Sequence, residues 1–192
     1  YFQIFLSKKE IRRRFVELNN NFFHYLESGS GFPIVLLHES PKSSFAHMSL
    51  IRFLSVRYKI FALDTPGYGF SDPIKNSKKN ISDFAILINQ IISSLGIKKF
   101  ILYGNHTGAS IAIEYGKLFP GKLRGLILES LPIFFQNEVQ GILKNFFSPL
   151  IIKQDGSHLT SIWSKVEDQN IWFPWYERTN KQMHHWPHAR PV

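Results

Sequence analysis

Five residues near the middle of the chain, Gly104-Asn105-His106-Thr107-Gly108, carry its sharpest chemical signal. They lie between an apolar run, Phe100-Ile101-Leu102-Tyr103, and a helical pattern that opens at Ala109. A chain turning sharply from strand into helix holds the middle residue in a strained, outward-pointing conformation, and side chains at either glycine would collide with the turn. The helix start adds N–H groups and a positive dipole end beside that residue, so an anion forming there is stabilised. The middle residue is His106. An imidazole at such a point can act as a general base on water, form a transient covalent adduct, or do neither. Thr107 could replace it as nucleophile, although its place in the turn suits backbone donation better.

Other polar residues gather where apolar runs end. His38-Glu39-Ser40-Pro41 follows Pro33 to Leu37, and Asp64-Thr65-Pro66-Gly67-Tyr68-Gly69-Phe70-Ser71 follows Lys59 to Leu63. Glu129 follows Leu126-Ile127-Leu128, where a carboxylate either orients an imidazole or merely starts a loop or caps a helix. His184, His185 and His188 are interrupted by Pro187 and match no strong metal pattern, so they are read as exposed or lid histidines. His24, His47 and His158 receive the same reading. Neither a metal nor a cofactor is expected. Trp172-Phe173-Pro174-Trp175-Tyr176 can wall an apolar pocket or form a hinge; Trp172 and Trp175 are taken as pocket wall.

The elements that must position these residues follow from periodicity. Phe15 to Leu18 and Phe22 to Leu26 predict a hairpin around Asn19-Asn20-Asn21. Pro33 to Leu37 is a continuous apolar run, as in a strand covered on both faces, and similar runs follow at Lys59 to Leu63, Lys99 to Tyr103 and Leu123 to Leu128. Between them, Ile81, Phe84, Ala85, Ile88, Ile91, Ile92 and Leu95 fall on one helical face, with Asn80 or Ser82 as cap and Gly96 as stop. Shorter helices are predicted over Leu50 to Arg57 and Ala109 to Phe119. This alternation builds right-handed crossovers and a mostly parallel, doubly wound sheet, which places ligands at the carboxyl ends of its strands. After Pro132 the pattern becomes aromatic and helical. Asp155-Gly156-Ser157-His158 is expected to turn and cap a helix holding Leu159, Ile162 and Trp163.

Composition narrows the class. The 192 residues are 44% apolar and 19% charged, enough for one sizeable core. No apolar stretch nears the roughly 18 residues of a membrane-spanning helix, so no membrane partner is expected. The absence of cysteine closes thiol and disulfide chemistry. A net charge of +9 invites a nucleic-acid reading, but the basic residues are scattered and accompany no recognition motif, so no nucleic-acid partner is expected.

Taken in order and spacing, three motifs resemble the α/β-hydrolase family, in the branch holding epoxide hydrolases, haloalkane dehalogenases and related esterases and lyases. His38-Glu39-Ser40-Pro41 resembles its H-G-x-P oxyanion loop, Asp64 to Ser71 its D-x-P-G-x-G-x-S turn, and Gly104 to Gly108 its nucleophile elbow, with His106 in the middle. The resemblance covers about residues 15 to 132. It implies an α/β core over 1–132 with an N-terminal antiparallel hairpin, and an aromatic, helical lid over 133–192. It also implies an oxyanion hole from the backbone N–H groups of Ser40 and Thr107, substrate contacts from His38 and Glu39, and catalytic roles for His106 and Glu129. Glu39 stands where the family has glycine, so its carboxylate must turn away or be protonated. The Asp64 turn is read as structural. Family members carry Ser, Asp or Cys at the elbow, and dehalogenase and epoxide-hydrolase chemistry needs a carboxylate there. His106 therefore disfavours both, and no Trp follows the elbow to hold a halide. The family's general-base His comes from a late strand after the lid; this chain ends at Val192 within the lid-like part, so a core truncated at its C-terminal side is expected. The expected activity is hydrolysis of a small apolar ester or related carbonyl compound, in the cytoplasm. The alternative is a non-catalytic protein of the same fold that binds a small apolar ligand.

Overall fold

The computed structural model describes residues 9–74, 80–145 and 151–171. Strands β1 (Arg12–Leu18) and β2 (Asn21–Gly29) form the expected hairpin, with Arg14 opposite Tyr25 and Val16 opposite Phe23. Its two-residue turn places Asn19 and Asn20 at φ of 51° and 59°, a conformation that asparagine tolerates better than most residues. β2 continues past the hairpin and pairs antiparallel with β4 (Lys59–Leu63). β3 (Pro33–Leu37) lies parallel to β4 on one side and to β5 (Phe100–Asn105) on the other, and β6 (Leu123–Glu129) adds parallel to β5. The resulting sheet has the order β1-β2-β4-β3-β5-β6.

Burial explains why β3 and β4 read as unbroken apolar runs. Val35, Leu36, Leu37, Ile60, Ala62 and Leu63 are at most 1% exposed, which requires cover on both faces. One face packs on α2 (Ile81–Ser94) and α3 (Thr107–Leu118), where Ala85, Ile88, Ile92, Ile111 and Tyr115 meet Val35, Leu37, Phe100 and Leu102. The other face packs on α1 (Met48–Leu54), where Ile51 meets Leu26, Ile34, Leu36 and Ala62. Helices therefore cover both faces, as the alternation predicts. A reciprocal capping box starts α2: the Asn80 side chain accepts from the Asp83 N–H, and the Asp83 carboxylate accepts from the Asn80 N–H.

The chain divides into two compact units, residues 1–132 and 133–192. In the second, α4 spans Gln136–Asn145 and α5 spans Ser157–Ile171. The Asp155 side chain accepts from the Ser157 N–H at 3.0 Å, the cap foreseen for the helix of Leu159, Ile162 and Trp163. Among the described residues no helix is long and apolar enough to cross a membrane. Trp172, Trp175, His184, His185 and His188 lie outside the described residues.

Candidate active site

β5 runs through Gly104 and Asn105 directly into α3, and the join is His106 at φ 49° and ψ −114°. Such a conformation costs a non-glycine residue about 1–3 kcal/mol. Three backbone bonds hold it. The His106 N–H donates to the Glu129 carbonyl of β6 at 2.9 Å, and the His106 carbonyl accepts from Ala109 and Ser110. Both glycines are needed for contact rather than flexibility. A Cβ on Gly104 would sit 2.3 Å from the Gly108 carbonyl oxygen, and one on Gly108 would sit 2.4 Å from that of Leu37. The elbow is thus wedged against the end of β3, and its imidazole is exposed.

The two expected oxyanion donors meet here, but not as two free donors. The Ser40 N–H donates to Thr107 Oγ1 at 2.7 Å, and that hydroxyl donates in turn to Ser40 Oγ at 3.2 Å. Thr107 is the first residue of α3, so helix geometry gives its N–H no intrahelical acceptor. The N–H groups that open α3 remain the candidate donors to an anion at the elbow.

Although its departure from glycine would demand it, Glu39 does not turn its carboxylate away from the elbow but bonds it to Asn105 of the elbow and to Lys42. Oε1 meets Lys42 Nζ at 2.7 Å and Oε2 accepts from Asn105 Nδ2 at 3.2 Å. Partial burial opposes its ionisation, but Lys42 outweighs this and holds the carboxyl below the usual range. His38 is 1% exposed with both ring nitrogens engaged: Nδ1 donates to the Glu39 carbonyl at 2.8 Å and Nε2 accepts from the Thr65 N–H at 2.9 Å. It ties the loop after β3 to the loop after β4. Burial pushes its pKa below the ordinary imidazole value.

Glu129 ends β6 beside Asn105, its register partner on β5. Its carbonyl holds the His106 backbone, while its carboxylate accepts from the Tyr103 hydroxyl. The structure thus brings Glu129 to the elbow but gives its side chain a phenol partner. Tyr103 and Asn105 lie two apart on one strand face, a period-two signal that could have flagged both once β5 was drawn through Asn105.

Two histidines read as exposed are in fact buried. His47 is 5% exposed and packs edge-on to Tyr103 at 5.3 Å; its Nε2 has no partner among the described residues. Burial pushes its pKa down, against a hydrogen bond to the Leu37 carbonyl and the charge of Glu39. His24 is 1% exposed because β2 is covered on both faces here, and its Nδ1 donates to Asp64 Oδ2 at 2.9 Å. Asp64 also accepts from the backbone N–H groups of Ser44 at 2.7 Å and Phe70 at 2.9 Å. The Asp64 turn is structural, as read. Among the described residues no three His, Asp or Glu side chains are placed to hold a metal ion.

A mixed sheet with helices on both faces and a strained elbow between β5 and α3 at the carboxyl ends of the parallel strands define an α/β protein with a candidate site at that elbow. The chain belongs to the alpha/beta hydrolase fold family, whose profile matches residues 33–160. It is 27% identical over 115 residues to haloalkane dehalogenase 2 of Mycobacterium tuberculosis, covering 60% of this chain and 40% of that protein. It is 33% identical over 113 residues to epoxide hydrolase 4 of Mus musculus, covering 57% of this chain and 32% of that protein. The crystal structure of epoxide hydrolase VrEH1 from Vigna radiata superposes with a TM-score of 0.60 at 26% identity, covering 71% of this chain and 44% of that one. The chain thus spans about two fifths or less of the length of these curated relatives.

Proposed function

We propose that the protein hydrolyses a small apolar ester or related carbonyl compound, with the His106 imidazole as general base and the start of α3 as the site of oxyanion stabilisation. The observation that carries this reading is the strained elbow, which presents an exposed imidazole beside the orphan N–H groups of a helix. Strain of that size at a surface residue serves no packing purpose. That the relatives are named as hydrolases supports the same class. His106 supplies no carboxylate at the elbow, so alkyl-enzyme chemistry on halides or epoxides is not part of the reading. Glu129 is assigned to fix the elbow, through its carbonyl to the His106 backbone and its carboxylate to Tyr103. We assign residues 133–192 to a lid, while His38, 1% exposed with both ring nitrogens engaged, ties the loops after β3 and β4 together rather than touching substrate.

One observation favours the second reading, a ligand-binding protein without turnover. The Ser40 N–H is spent on Thr107 Oγ1, where a hydrolase holds a donor ready. A panel of p-nitrophenyl esters of short-chain acids separates the two. On the hydrolase reading the protein releases nitrophenol, and His106→Ala lowers kcat/KM by about 100-fold or more. No release of nitrophenol from any ester by the unaltered protein would leave the binding reading, and release equally fast in His106→Ala would remove His106 as the base.

A further inference from the structure

The middle position of the elbow carries an imidazole in place of the hydroxyl, thiol or carboxylate with which such sites form a covalent intermediate, yet a hydroxyl stands on the neighbouring loop, bonded to Thr107. We propose that Ser40 Oγ is the nucleophile of this site, with His106 as its base, so that the two roles are exchanged between the elbow and the loop after β3. The inference rests on the hydrolase reading and adds to it the identity of the attacking atom.

Three observations place Ser40 in this role. Its backbone N–H is committed to Thr107 Oγ1 at 2.7 Å, which pins the residue against the first turn of α3 and removes it as a free oxyanion donor. Its Oγ accepts from the same Thr107 hydroxyl at 3.2 Å. That bond orients the Ser40 oxygen and leaves its own proton with no acceptor among the described residues. Ser40 is half-buried, so its oxygen is held yet reachable, and Thr107 is the immediate chain neighbour of His106. Thr107 is the poorer nucleophile. Its oxygen already accepts one hydrogen bond and donates another, and β-branching on the first residue of a helix restricts its χ1.

The chemistry closes without a further reagent. As Ser40 Oγ bonds to the ester carbonyl carbon, its proton passes to an imidazole nitrogen of His106. The negative charge on the carbonyl oxygen faces the N–H groups that open α3. Collapse breaks the bond to the alkoxy group, which leaves with the proton from the imidazole, and the acyl group stays on Ser40. Water then attacks the acyl carbon, gives a proton to His106, and the acid departs as that proton returns to Ser40 Oγ.

An ethoxy fluorophosphonate probe tests this without knowledge of the substrate, since attack forms an Oγ–P bond and expels fluoride. The full chain is labelled, digested and mapped by mass spectrometry, alongside Ser40→Ala and His106→Ala. The expected result is an adduct at Ser40, absent from Ser40→Ala and formed about tenfold or more slowly in His106→Ala. Ser40→Ala keeps the backbone bond to Thr107, so it should retain the fold. Ser40→Cys provides an independent measure, because the chain contains no cysteine and the new thiol is the sole one. Its alkylation by iodoacetamide should slow by a similar factor when His106→Ala is added. An adduct on Thr107 or His106, no adduct, or rates indifferent to His106 would each overturn the proposal. Ester hydrolysis that persists in Ser40→Ala would remove Ser40 but leave the hydrolase reading standing. An adduct at Ser40 in a protein that releases no nitrophenol from any ester would uphold the nucleophile and remove the ester reading.

Discussion

Asp64 is a single carboxylate at which three separate segments converge. Its oxygens accept from Ser44 before α1, from Phe70 in the following turn and from the His24 ring on β2, while the group itself is 1% exposed. Burial alone would raise its pKa, but the hydrogen bonds from Ser44 and Phe70 and the proximity of His24 outweigh this and hold it below the ordinary aspartate value. Beyond His24, Arg13 Nε donates to His24 Nε2 at 3.3 Å, and the guanidinium lies 4.2 Å over the Phe70 ring. The stack thus runs from β1 through β2 to the turn that frames the site. Asp64→Ala would leave two backbone donors and a buried imidazole unpartnered, which costs at least about 3 kcal/mol. Denaturant titration followed by tryptophan-independent far-UV dichroism should show that loss. An unfolding free energy lowered by less than about 1 kcal/mol would mean that the turn is held by its proline and glycines instead.

At the level of elements, the sequence predicted the elbow well and its side-chain partners poorly. β3 and β4 were found to the residue, because an unbroken apolar run between turns has few alternative readings when both faces are buried. β5 extends two residues beyond the apolar run, through Gly104 and Asn105, since parallel pairing with Leu128 and Glu129 of β6 carries the ladder on. The motif spacing located His106, Ser40 and Glu129 at neighbouring strand ends. It could not show that Ser40 and Thr107, 67 residues apart, bond to each other, nor that Tyr103 occupies the Glu129 carboxylate. Such pairings depend on rotamers and on register between strands, which no spacing records. His24 and His47 were missed for a related reason: a histidine inside an apolar run gives no sign of whether its nitrogens find partners. The glycines, by contrast, were legible because their need is steric. Gly108→Ala puts a methyl 2.4 Å from the Leu37 carbonyl oxygen and 2.8 Å from that of His38, so α3 must lift from the end of β3. The expected outcome is loss of about 1–3 kcal/mol of stability, the range for overpacking, with loss of fluorophosphonate labelling at temperatures where the variant is still folded. A variant equally stable and equally labelled would show that the wedge is not required.

Across the whole core, the buried titratable groups give stability a pH dependence whose sign is fixed. His38 and His47 are both held below the ordinary imidazole value, chiefly by burial. The unfolded chain takes up these protons near pH 6.5, whereas the folded chain does so only at lower pH. Between the two, the unfolded state binds more protons, so stability falls as pH falls; well above about pH 6.5 this contribution is constant. Asp64 and Glu39 add a second decline further down, because their lowered values give stability that is present above the unfolded carboxylate pKa near 4 and lost below it. The net charge of +9 acts in the same direction, since self-repulsion grows as carboxylates are neutralised. Unfolding free energies at pH 9, 8 and 5 should therefore be level between the first two and lower at the third. His47→Phe is the discriminating variant. It keeps an aromatic ring against Tyr103 and removes both the ionisation and the unpartnered Nε2. The decline between pH 8 and 5 should shrink in His47→Phe by up to about 1.4 kcal/mol per pH unit, the weight of one proton. An unchanged decline would assign it to general charge repulsion, which Phe at this position leaves almost untouched.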